Sequence, residues 1–253
     1  MAGGAERMLA GRTALVTGGG SGLGADLARG LSEAGATVWI AGRREDTLRK
    51  VAGDGPIRWV TADVTDDAQV AAMFEAAGTP DIVIANAGAS ESAPFDRTTL
   101  DAWNRMIAVN LTGVFLTLRE ASRRLGRAPW GRLIAIASTA GLKGYPYVAP
   151  YAAAKHGVVG MVKSLALETA RGGVTVNALC PGFLDTEMTG QSIANIVEKT
   201  GMDAEAARAS LERMSPQRRL FQPAEVTAAA LWLCGPGSEG ITGQAISISG
   251  GET

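Results

Sequence analysis

Short runs of β-branched residues alternate with longer stretches of helical period from one end of the chain to the other. The runs near Thr13–Thr17, Thr37–Ala41, Ile57–Ala62, Asp81–Ala85, Arg132–Ala137, Val174–Leu179 and Ala245–Ser249 predict strands. Helical periodicity predicts helices near Leu23–Ala34, Glu45–Ala52, Asp67–Ala76, Leu100–Leu125, Tyr151–Ala170, Ala204–Met214 and Ala224–Leu233. Such alternation argues for βαβ units, whose crossover helices cover both faces of a parallel sheet. The expected fold is α/β: a single doubly wound, three-layer domain over residues 1–253, with a seven-stranded parallel sheet and helices on both faces.

Two stretches depart from that rhythm. Between Phe183 and Pro223, polar turns and one separate amphipathic helix follow a strand. Long insertions at the carboxyl end of a strand are usually functional, so residues 183–222 are expected to form a substrate lid, with a structural cap as the alternative. The segments Ala108–Leu118 (AVNLTGVFLTL) and Ala152–Leu167 (AAAKHGVVGMVKSLAL) carry too few polar residues to cover a solvated face. The sheet can bury one side of each, and a second subunit is the natural cover for the other.

Composition narrows the chemistry. The 253 residues are 46% hydrophobic, enough for a large core, and the net charge of −1 favours neither nucleic acid nor an acidic membrane surface as a partner. Cys180 and Cys234 are too few for a disulfide framework and lie in apolar surroundings, so reduced core thiols are expected. MAGGAERMLAGR lacks the basic and apolar regions of a leader, and no apolar stretch near the length of a span is free of charge and glycine breaks. The expectation is a cytoplasmic protein. His156 is the single histidine, which disfavours a metal site or a Ser-His-Asp triad and leaves acid–base work to Tyr, Lys, Asp or Glu.

After the first strand, Thr17-Gly18-Gly19-Gly20-Ser21-Gly22-Leu23-Gly24 opens directly into a helix. Glycine lets backbone approach a pyrophosphate, and the helix N-terminus presents free N–H groups to it. G-x-G-x-x-G/A fits only as Gly20, Gly22 and Ala25, whereas G-x-x-x-G-x-G fits as Gly18, Gly22 and Gly24. The second strand ends Ile40-Ala41-Gly42-Arg43-Arg44, without the acid that binds a ribose 2′-hydroxyl in NAD enzymes. A guanidinium pairs with a 2′-phosphate instead. NADP(H) is therefore favoured, with Arg43 the main contact and Arg44 a second; solvated arginines and NAD(H) are the alternative. Asp63, with Val64 after it, closes the third strand at the ligand-binding edge, where it either contacts adenine or caps the following helix. Asn86-Ala87-Gly88 ends the fourth strand with small residues along the cofactor's path.

In Tyr151-Ala152-Ala153-Ala154-Lys155 a phenol and an ammonium stand at i and i+4, on one helix face. The cation favours phenolate and lowers a pKa that is otherwise near 10, so the pair can exchange a proton with a carbonyl or alcohol oxygen. Tyr145 and Tyr147 have no lysine four residues later. Ser138 ends a strand at the same sheet edge, where it either bonds the reacting oxygen or caps a turn.

Thr17–Gly24, Asn86–Gly88, Asn110, Ser138, Tyr151/Lys155 and Pro181-Gly182 stand in the order and spacing of the short-chain dehydrogenase/reductase family, which the chain resembles from about Arg12 to Gly251. Ala85 stands where that family commonly has a first Asn before Asn86-Ala87-Gly88. The resemblance implies a Rossmann domain, a homotetramer, and roles residue by residue. Tyr151 is the general acid/base and also contacts the cofactor; Lys155 lowers its pKa and binds the nicotinamide ribose; Ser138 orients the substrate oxygen; Asn110 holds a water linking Lys155 to solvent. Gly18, Ser21, Gly22, Leu23, Gly24, Asp63, Val64, Asn86, Ala87 and Gly88 follow the cofactor, and Pro181, Gly182, Leu184 and Thr186 hold its nicotinamide end. His156 packs beside Lys155 without a catalytic role.

The stretches Ala149–Gly160 and Cys180–Phe183 look like polyketide ketoreductases, and are similar to 3-oxoacyl reductases and 3-hydroxyacyl-CoA dehydrogenases. A 3-oxoacyl thioester or related ketone is the implied substrate. Arg208, Arg213, Arg218 and Arg219 of the lid either meet phosphates of a CoA or carrier-protein arm or lie solvated. An NAD-dependent secondary-alcohol dehydrogenase and a non-catalytic nucleotide sensor are the competing readings.

Overall fold

The computed structural model describes residues 7–253; the first six residues of the segment expected to lack a leader lie outside the described residues. Seven strands form one parallel sheet: β1 (Thr13–Thr17), β2 (Thr37–Gly42), β3 (Arg58–Thr61), β4 (Ile82–Ala85), β5 (Gly131–Ile136), β6 (Val174–Pro181) and β7 (Ala245–Ile248), in the order β3-β2-β1-β4-β5-β6-β7. Alternate residues of β1 serve opposite layers: Ala14 and Val16 pack with α1 (Gly22–Glu33), α2 (Glu45–Ala52) and α9 (Pro223–Cys234), whereas Leu15 packs with the other helical layer. That second layer holds α3 (Asp67–Ala77), α5 (Gly113–Leu125) and α6 (Ala149–Thr169). Doubly wound α/β architecture follows.

The strand order reverses between β1 and β4, and open α/β sheets bind ligands in the crevice at the carboxyl ends beside such a switch. Thr17, Asn86, Ser138 and Pro181 all lie at that edge, so topology alone gathers residues scattered over most of the sequence.

The structure refines one helical expectation and corrects another. Leu100–Leu125 is helical throughout, as expected, but α4 (Leu100–Ile107) and α5 are joined by a π-helical turn over Ala108–Thr112. Asn110 sits in it fully buried, and its Nδ2 donates to the Met106 carbonyl four residues back, a side-chain bond that competes with the helical ladder. The segment 183–222 contains two helices, α7 (Glu187–Thr200) and α8 (Ala204–Glu212), where one was expected. Polar residues and Gly190 weaken the period of α7; it ends at Gly201, whose φ of 72° provides a left-handed stop.

Both cysteines are free and buried, as expected. Among the described residues, no helix is long and apolar enough to cross a membrane. The two apolar helical segments leave Phe115 44% and Leu167 80% exposed on the single chain.

Candidate active site

The glycine loop is built for close backbone approach. Gly18 and Gly22 take φ of 68° and 50°, which other L-residues rarely adopt. A Cβ on Gly24 would lie 2.2 Å from the Gly18 carbonyl oxygen, so only glycine allows α1 to start that close to β1. Ser21 precedes α1 in extended conformation, and its hydroxyl makes no capping bond to the helix.

Neighbouring strand ends hold the loop in shape. The Asn86 side chain donates to the carbonyls of Thr17 (2.9 Å) and Gly18 (3.3 Å), while the Thr17 hydroxyl accepts from the Asn86 and Ala87 amides (3.0 and 3.1 Å). Asn86 thus spends its amide bracing the loop. The bracing role of Thr17 was not legible in the sequence, since a threonine at a strand end carries no signal of its own.

At the ends of β2 and β3, Arg43 and Asp63 approach to 4.0 Å, with the Arg43 side chain 74% exposed. Asp63 does not cap α3. Its Oδ1 accepts from the amide and hydroxyl of Thr65, and Asp66 takes the capping position through the Ala68 and Gln69 amides. Arg44 lies exposed immediately before α2, its carbonyl accepting from the Thr47 hydroxyl. Val64 is buried against Gly113, where an added Cβ would come within 2.7 Å of it. Across the crevice, Thr186 starts α7 without a side-chain capping bond, and a Cβ on Gly22 would lie 3.5 Å from its methyl group. Leu184 bridges to Phe221, and the Gly182 amide donates to the Ile248 carbonyl, so the segment after β6 is anchored on both sides.

Ser138, Tyr151 and Lys155 converge where β5 meets α6. The Ser138 Oγ accepts from the Ala140 amide at 3.1 Å and lies near the Tyr151 phenol, so the capping and site positions coincide. Lys155 is buried; its Nζ donates to the Ile136 carbonyl at 2.7 Å and lies 5.5 Å from the Tyr151 ring centre. The electrostatics run opposite to the sequence expectation. Burial raises the Tyr151 pKa above the usual 10.0, only partly offset by the nearby Ser138 hydroxyl. The same burial pushes the Lys155 ammonium down from 10.5 to about 8. In this apolar setting desolvation outweighs the lysine's attraction for phenolate, and Tyr151 holds its proton at neutral pH.

Gly88 joins the two halves of the site. A Cβ there would lie 2.9 Å from the Asn110 Oδ1 and 3.9 Å from the Lys155 Nζ, so a larger residue would fill this space. The Asn110 side chain is bound on both ends to Ala89, accepting from its amide (3.2 Å) and donating to its carbonyl (2.9 Å). It thereby ties the π-turn to the strand-end segment beside Lys155. His156 is exposed and bonds the Ala152 carbonyl of its own helix at 2.9 Å; the expected packing beside Lys155 is not formed, because one residue further along α6 turns the side chain away.

Of Arg208, Arg213, Arg218 and Arg219, two are engaged in ion pairs. Arg208 bonds Asp185 (3.2 Å) and Glu212 (2.9 Å), and Arg219 bonds both oxygens of Glu225 (2.6 and 2.8 Å).

A family model described as enoyl-(acyl carrier protein) reductase matches residues 18–253, nearly the whole described chain. The chain belongs to the short-chain dehydrogenase/reductase family. It is similar to actinorhodin polyketide ketoreductase, solved as a variant with NADPH: 35% identity, TM-score 0.90, covering 95% of this chain and 97% of that one. A 3β-hydroxysteroid dehydrogenase of Eggerthella lenta is 38% identical over 97% of this chain and 95% of its own length. A D-β-hydroxybutyrate dehydrogenase of Rhizobium meliloti is 34% identical over 96% and 98%. The chain is accordingly an oxidoreductase of this NAD(P)(H)-using family.

Proposed function

We propose that this short-chain dehydrogenase/reductase reduces a ketone to a secondary alcohol with NADP(H), Tyr151 supplying the proton. The observation that carries the reading is the convergence of Ser138, Tyr151 and Lys155 at the carboxyl edge of the sheet where β5 meets α6, together with a glycine cradle at the end of β1 that side chains would fill. Gly18, Gly22 and Gly24 admit a pyrophosphate, with Ser21 and the start of α1, including Leu23, beside it. Arg43 offers an exposed guanidinium for a 2′-phosphate, and the solved relative with NADPH supports that choice. Asp63, Val64 and Asn86–Gly88 line the path toward Lys155, while Pro181, Gly182, Leu184 and Thr186 receive the nicotinamide end.

When bound, the nicotinamide supplies the hydride. Ser138 orients the substrate oxygen, its own Oγ fixed by the Ala140 amide. The Tyr151 phenol, protonated through the neutral range, gives that oxygen its proton as negative charge develops there. The Lys155 ammonium then stabilises the phenolate left behind.

A pH dependence follows. Lys155, depressed to about 8, is charged below that pH and neutral above it, while Tyr151 keeps its proton across this range. Reduction should be level below about pH 8 and decline above it as the stabilising charge is lost; initial rates at saturating NADPH check this, and a rise through pH 8–9 would contradict it.

Relatives named for polyketide, steroid and hydroxybutyrate chemistry support a 3-oxoacyl thioester or related ketone as substrate. The exposed Phe115 and Leu167 support a homo-oligomer, a tetramer by family resemblance. Light scattering after size exclusion should give a mass near four times 26.0 kDa; a monomer at micromolar concentration would refute the assembly.

A further inference from the structure

The segment following β7 carries a carboxylate back into the active-site region. Gly250 and Gly251, at φ of 61° and 89°, turn the chain sharply enough to place Glu252 against Gly182, whose added Cβ would lie 3.5 Å from Oε2. The Glu252 side chain is only 2% exposed. Its Oε1 accepts from the Tyr145 hydroxyl at 2.5 Å and from the Lys143 Nζ at 2.9 Å. Tyr145 has a single proton, and the carboxylate takes it; the Thr139 hydroxyl, 2.6 Å away, therefore donates to the phenol oxygen. Thr139 opens the short 3₁₀ turn that Ser138 caps. The Tyr145 ring also meets Phe183 edge-on at 6.3 Å, just beyond β6.

We infer that Glu252 is a positioning residue for the substrate side of the site: it fixes Tyr145 and Lys143, and through Thr139 the turn that presents Ser138. This inference deepens the proposed ketone reduction and names a residue far from the catalytic set in sequence. A buried carboxylate is costly unless bonded, and this one meets two donors that both belong to the loop between β5 and α6. Position in that loop matters because a misplacement of about 1 Å can cost about a hundredfold in rate.

The test combines hydrogen exchange with kinetics on Glu252→Ala, Glu252→Gln and Tyr145→Phe. In Glu252→Ala, amides of residues 139–147 should exchange at least about tenfold faster while protection elsewhere is unchanged. Its KM for the ketone should rise about tenfold, with NADPH affinity unaltered. Glu252→Gln retains an acceptor for Tyr145 and should recover most of that loss. Tyr145→Phe should reproduce the KM effect, and the double variant should add little to it, since both changes break one chain of bonds. Unchanged exchange at 139–147 in Glu252→Ala would overturn the inference. So would protection lost evenly across the molecule, which would make Glu252 a residue of the fold alone. If the wild type turned over no ketone, the proposed reaction would fall, and the exchange data would still decide the role of Glu252.

Discussion

Replacing Tyr151 by phenylalanine is expected to lower kcat for ketone reduction by about a thousandfold or more, the scale of a lost general acid. The ring stays and the site keeps its packing, so NADPH affinity should remain within about twofold, because the change removes one hydroxyl from an extended cofactor site. Solvent cannot readily replace that hydroxyl: the phenol lies in surroundings apolar enough to raise its own pKa and to bring the adjacent ammonium down to about 8. Kinetics and fluorescence titration of NADPH on the same preparation check both halves. Turnover near the wild-type level would show that another group delivers the proton.

The second large effect is expected at Arg43. Its guanidinium is largely exposed at the end of β2, with Asp63 at 4.0 Å as its ion-pair partner. Arg43→Asp removes a charge-assisted contact to a 2′-phosphate and sets a second carboxylate near Asp63. NADPH affinity should fall about a hundredfold, whereas NADH, which has a hydroxyl at that position, should lose less than about threefold. Equal losses for the two nucleotides would remove the argument for NADP(H).

Much of the layout was legible because it depends on local period and on residues of special conformation. Strand runs and helical periods gave the alternation, and the sheet order followed the rules that govern βαβ crossovers. Gly18, Gly22 and Gly24 announced their loop because few other residues fit there, and Tyr151 and Lys155 were paired by helix geometry. What the sequence hid was the balance between competing terms. The charge argument predicted a lowered phenol pKa, but desolvation depends on burial by distant segments, and it sets the opposite sign. The π-turn at Asn110 was hidden for a similar reason, since its side chain is held by Ala89, on a segment twenty-one residues earlier. Glu252 had no local signal at all: a carboxylate after two glycines reads as solvated until the fold brings Tyr145 and Lys143 to it. Asp63 left two roles open, and only the placement of Asp66 removed the capping one.

Ketone-dependent consumption of NADPH by the wild-type protein is the reaction proposed for this site. Following nicotinamide absorbance against acetoacetyl-CoA, longer 3-oxoacyl thioesters and cyclic ketones tests it most directly, with the alcohol product quantified alongside. The prediction is oxidation of one NADPH for each alcohol formed with at least one of these ketones, and none without ketone. NADPH that binds tightly yet is not consumed with any of them would instead mark a nucleotide-binding protein without this chemistry.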